Sequence, residues 1–143
     1  MSFDLERFVE ARRPAMAAVF DELREGRKRT HWMWFVFPQI AGLGHSDMAR
    51  RFAISSIGEA RAFLAHPVLG TELRECCRLV NAVEGRTALE IFGQPDDMKF
   101  RSSMTLFDRA SDGDAVFREA LGKYFGGAPD PRTIERLEGR GAD

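Results

Sequence analysis

The 143 residues are 44% hydrophobic and 30% charged, with a formal net charge of −1. That balance excludes a disordered chain and a strongly basic nucleic-acid binder, and the length lets one domain bury a core without disulfide or metal staples. The longest apolar runs are six residues, as in WMWFVF at residues 32–37, far too short to span a membrane. The opening MSFDLERFVEARR has no apolar stretch of signal-peptide length, so a cytoplasmic location is expected.

Asp4 is placed to cap a short helix beginning at Leu5, with Leu5, Phe8 and Val9 inward. Pro14 suits the first turn of a second helix, in which Met16, Val19, Phe20 and Leu23 recur at helical spacing and Gly26 marks the stop. Residues 32–37 read as fully buried, and periodicity does not separate a strand from a short helix there. Residues 42–44 form a loop, followed by a short helix around residues 47–52. Ser56 and Glu59 have the spacing of a capping box for a helix ending near His66. Pro67 then opens the clearest helix, whose stripe is Leu69, Leu73, Cys76, Val80 and Val83 and whose stop is Gly85.

Thr87 and Glu90 repeat the capping box for a short helix that ends at Gly93. A helix over residues 97–108 points Phe100, Met104 and Phe107 inward, with Asp97 and Arg101 as an i,i+4 surface pair and Thr105 and Asp108 on the same outer side. Lys99, Ser102 and Ser103 lie on its flank. Phe117, Ala120, Leu121 and Tyr124 mark a further helix, stopped by Gly126 and Gly127. Asp130 and Pro131 start a last one with Ile134 and Leu137 inward, and residues 137–143 read as a frayed end. No alternating runs are joined by a hairpin turn. The expected fold class is therefore all-α, a compact multi-helix array forming a single domain over residues 1–143. Cys76 and Cys77 are neighbours on a helix, where disulfide geometry is out of reach.

Common catalytic and phosphate-loop motifs are absent. The histidines His31, His45 and His66 are too far apart for a local metal motif, so no metal site is expected. Two segments are dense in chemistry. Residues 26–39, GRKRTHWMWFVFPQ, place Lys28 and His31 beside both tryptophans of the chain. This is either a buried aromatic strut with a solvated basic shoulder, or a pocket in which cations meet an anion while Trp32 or Trp34 stacks on a ring. Residues 95–107, PDDMKFRSSMTLF, place Lys99 beside Ser102 and Ser103. Hydroxyls beside a lysine suit phosphate recognition, and small residues there also let another helix approach closely.

HWMWFVFPQ at residues 31–39, GLG at 42–44, HPVLG at 66–70, and IFG, PDD, K and SSMTLF between residues 91 and 107 closely resemble the uncharacterised family called domain of unknown function 1810. The resemblance runs from Phe3 to about Leu137 and implies a compact, mainly helical domain, with no established activity to carry over. Members of that family often bear the label calpastatin. Calpastatin is a disordered protease inhibitor, and this globular composition does not fit it. A weaker similarity is to YbiA-like helical proteins associated with ADP-ribose chemistry.

Two functions from different classes follow. One is a small-molecule-binding domain or enzyme acting on a nucleotide or ADP-ribosyl-type anionic ligand. There Lys28, His31 and Lys99 hold the anion, Trp32 or Trp34 stacks, and Gln39 and Ser103 fix orientation. His31 and a carboxylate, Asp96 or Asp97, are the candidates for acid–base catalysis. The other is a non-catalytic helical module for protein interaction. Nucleic-acid binding through Arg24, Arg27, Lys28 and Arg29 is disfavoured by the net charge and by nearby Glu22 and Glu25. If the pocket exists, His31, Trp34 and Lys99 should border one cleft, although some 60 residues separate the two segments.

Overall fold

The computed structural model describes residues 3–142. Ten helices run through them: α1 Glu6–Arg12, α2 Met16–Glu25, α3 Met33–Val36, α4 Asp47–Arg51, α5 Ile57–Ala65, α6 Leu69–Ala82, α7 Ala88–Phe92, α8 Asp96–Ala110, α9 Ala115–Phe125 and α10 Pro131–Ala142. Among these residues the sole extended pairing is an isolated parallel bridge between Ile40 and Ile54. Among the described residues no helix is long and apolar enough to cross a membrane.

The helix ends follow the chemistry of their caps. The Ser56, Thr87 and Asp114 side chains each accept a first-turn amide, and Thr87 and Glu90 form both arms of a capping box. Gly26 and Gly126 close α2 and α9 in the left-handed region, at φ 71° and 63°. Several expected ends are displaced. Leu5, not Asp4, precedes α1, and no side chain caps it. Glu59 turns its carboxylate to the Ser55 amide at 2.7 Å and to Arg7 rather than to Ser56, so the second box has one arm. Pro67 lies just before α6, where the His66 Nδ1 accepts the Val68 and Leu69 amides, and α6 ends at Ala82, with Val83 already extended, instead of at Gly85. The backbone of α10 is helical through Ala142, and Asp143, in the segment read as frayed, lies outside the described residues.

α8 is the hub, with α5, α7, α9 and α10 packed against it and α6 bridging α2, α5 and α9. Phe100, Met104 and Phe107 are fully buried, as are Leu69, Leu73, Cys76 and Val80 of α6. Each such side chain contributes about 1.5–3 kcal/mol of burial. Phenylalanine rings link the layers: Phe8 contacts Phe63, Phe63 contacts Phe107 and Phe107 contacts Phe117, with centroids 5.1, 5.2 and 5.9 Å apart.

The outer side of α8 is not a solvated face. Thr105 and Ser102 are buried under the segment that enters α10. The Asp130 amide donates to Thr105 Oγ1 at 2.9 Å, and Asp130 Oδ2 accepts from the hydroxyls of Ser102 and Thr133 at 2.8 and 2.6 Å. The expected Asp97–Arg101 pair does not form, because Arg101 donates to the carbonyls of Ala128 and Pro129 in this same seam.

Candidate functional site

The site begins with a loop nailed down by one carboxylate. α2 ends at Gly26, and the chain then turns so that the Lys28 amide reaches the Ile91 carbonyl at 2.7 Å. Glu22, 2% exposed, accepts from the Arg29 amide (2.7 Å), the Thr30 amide (3.0 Å), the Thr30 hydroxyl (2.6 Å) and the Trp32 indole N–H (3.0 Å). Burial pushes this carboxyl's pKa up, but the hydrogen bonds from Thr30, the Arg29 amide and Trp32 outweigh it and bring the value down to about 2. The loop over residues 27–32 is thereby fixed against α2.

α3 follows and stops before Pro38, which disfavours a helical Phe37. The short helix resolves the strand-or-helix question left open by WMWFVF. It also leaves Trp34 half-buried at the surface while Trp32, Met33, Phe35, Val36 and Phe37 go inside.

This loop faces the first turn of α8. The Lys28 ammonium lies 2.9 Å from Asp96 Oδ2, and the Lys99 ammonium lies 3.6 Å from Asp96 Oδ1. Lys28 also sits 5.1 Å over the Trp32 ring, and Lys99 sits 5.5 Å over the Trp34 ring. A cleft of about 410 Å³ opens here, lined by Lys28, Arg29, His31, Trp34, Asp96 and Lys99 together with Met33, Phe92, Gln94 and Pro95. A smaller cavity of about 140 Å³ shares Met33, Trp34 and Lys99 with it and continues to Gln39, Ile40, Ala41, Gly42, Gly44, Ala49, Arg50 and Phe52. Lys99 and Trp34 therefore stand between two recesses. The chain has just three lysines, and two of them meet here.

The expected juxtaposition of His31, Trp34 and Lys99 around one cleft is present, and Lys28 joins them. Gln39 lines the smaller cavity. Trp32 and Ser103 are shut away, at 1% and 0% exposure. The Trp32 indole supports the loop from beneath through Glu22, and Ser103 lies on a stretch of α8 covered on all sides. Asp97 points around the helix from Asp96 with a buried, unpartnered Oδ1, so the carboxylate of the cleft is Asp96. Asp96 already neutralises Lys28, the deeper of the two lysines, whose side chain is 7% exposed against 27% for Lys99.

Glu22, Arg50 and Gln94 were not singled out from the sequence. Glu22 lies at the edge of the α2 stripe, where a glutamate reads as surface. Among the described residues, no three His, Cys, Asp or Glu side chains converge as a metal site would require.

A family model described as a protein of unknown function, DUF1810, matches residues 2–137. The chain is also similar to the crystal structure of the conserved hypothetical protein Rv1873 from Mycobacterium tuberculosis. Sequence identity is 57% and the TM-score 0.94, over 95% of this chain and 97% of that one. No curated protein matches the chain.

Proposed function

We propose that the chain, which belongs to the DUF1810 family, binds a small anionic ligand of the nucleotide or ADP-ribosyl class in the cleft at Lys99. The observation that carries this reading is the state of Lys99 itself. Its ammonium is over the Trp34 ring, a loose 3.6 Å from Asp96, and open to recesses on both sides. A cation so placed can turn to an incoming phosphate while the indole beside it offers an apolar plane to a ring or sugar. Lys28, by contrast, is locked on Asp96 and holds α8 to the loop. Arg29, whose guanidinium pairs with Glu25 at 2.6 Å, and the His31 imidazole add hydrogen-bonding groups at the rim. Should acid–base chemistry take place, His31 and Asp96 are the groups positioned for it.

A helical interaction module is the second reading, and one observation favours it. Asp96 already compensates both lysines, as a purely structural ion-pair network would.

A thermal-shift panel of nucleoside mono- and diphosphates, ADP-ribose, NAD and sugar phosphates tests the proposal, because a ligand that binds the native state raises the melting temperature. At least one compound should produce a shift, and Lys99→Met or His31→Ala should remove it while leaving the unliganded melting temperature within about 2 °C of the parent. A parent that responds to none of them, or a shift that survives Lys99→Met, refutes it. Substitutions that unfold the chain would support the interaction-module reading instead.

A further inference from the structure

We propose that the smaller cavity is a slot for one planar ring, so that the ligand held at Lys99 is a nucleotide whose base is a single six-membered ring, a pyrimidine rather than a purine. This rests on the anion-binding reading above and narrows it.

The slot is built by long-range structure. The Ile40–Ile54 bridge closes its base, with the Ala41 amide donating to the Ile54 carbonyl at 2.8 Å and the Ile54 amide to the Gln39 carbonyl at 2.9 Å. Between those ends, Ser46 caps α4 and sets Ala49 on the wall. A Cβ at Gly44 would come within 2.6 Å of the Ala49 Cβ, so this loop closes tightly only with glycine there. Gly42, at φ 99°, has its carbonyl held by Arg136 of α10 at 3.2 Å, and a side chain at 42 would strike that guanidinium. The recess is thus pinned from both sides before any ligand arrives.

Its size and lining select the occupant. About 140 Å³ is close to the ~150 Å³ of an engineered protein cavity that admits benzene, so the recess matches one ring, and a fused pair would have to extend out of it. Phe37, Ile40 and Phe52 provide apolar walls. Polar residues also line the recess: half-buried Trp34 and Gln39, and the exposed Arg50 at its mouth. The Gln39 carboxamide and the Arg50 guanidinium make no side-chain hydrogen bond among the described residues, and neither does the Trp34 indole N–H, whereas the Trp32 indole is spent on Glu22. A carboxamide carries both donor and acceptor, as the edge of a pyrimidine requires. Lys99, shared by both recesses, then meets the phosphate from the cleft side.

Isothermal titration of the full chain with UMP, CMP, AMP and GMP tests this. UMP or CMP should bind at least about tenfold more tightly than either purine nucleotide. Ala49→Leu, which fills the slot, should cancel that preference without changing AMP or GMP affinity. Gln39→Ala, which leaves the backbone bridge intact, should weaken UMP and CMP about fivefold and leave the purines unaffected. Purine nucleotides that bind as tightly as pyrimidines, or a preference that persists in both variants, overturn the ring slot and leave the anion site standing. Failure of all four nucleotides to bind overturns the slot and the anion site together.

Discussion

Replacing Glu22 with glutamine removes one charge and changes almost no volume, yet it should be among the most damaging single substitutions in the protein. The carboxylate is 2% exposed and accepts four hydrogen bonds from Arg29, Thr30 and Trp32. Its pKa falls from 4.5 to about 2 on folding. At 1.36 kcal/mol per unit this linkage is worth about 3 kcal/mol at neutral pH. Because the folded pKa is depressed, the stabilisation is complete above the unfolded value of 4.5 and drains away as pH drops toward about 2. Glu22→Gln should therefore unfold more easily than the parent by about 3 kcal/mol near pH 7, equivalent to a melting point lower by about 10 °C. The gap should shrink to about 1 kcal/mol near pH 3. Urea unfolding of both proteins at the two pH values measures it. A gap below about 0.5 kcal/mol near pH 7, or one equal at both pH values, would show that Glu22 is not the ionised anchor of the loop.

Three further outcomes are expected. Leu73→Ala, at a fully buried position of α6, should cost about 2–5 kcal/mol in chemical denaturation, and a cost under about 0.5 kcal/mol would mean that the stripe is not core. Burial raises the Cys76 thiol to about 12 and pushes Cys77 well above the ordinary thiol value too, so a thiol reagent near pH 8 should leave the native protein untouched and titrate both cysteines once urea unfolds it; modification of the native state refutes this. Arg12→Met should cost about 3–5 kcal/mol, because it strands the buried Phe35 and Val36 carbonyls and the Glu72 carboxylate that the guanidinium now serves. A melting temperature equal to the parent's would show those groups to be satisfied without it.

The parts of the molecule legible from sequence are those decided within a turn or two of the chain. The Thr87 box and the Gly26 and Gly126 stops are local hydrogen-bond and φ preferences, and Leu69, Leu73, Cys76 and Val80 declare their face by spacing alone. The meeting of His31, Trp34 and Lys99 was also legible, since cations interleaved with large aromatics in two segments are costly to bury apart. Arg12 offered a usable signal as well: it continues Leu5, Phe8 and Val9 at helical spacing, which puts a guanidinium where a core residue belongs. Partner choice across the fold was not legible. Asp96 and Asp97 are adjacent and chemically identical, and the rotation of α8 against its neighbours sends the first to the lysines and leaves the second half-buried with one covered, unpartnered oxygen. Ser102 and Thr105 look like surface until Asp130 returns to cover them. The ring slot depends on Ile40 finding Ile54 and on Arg136 finding Gly42. Caps and stripes are set by interactions a few residues long, which the sequence states directly. Which polar group receives which partner is settled by packing between segments tens of residues apart, and only the assembled core decides that.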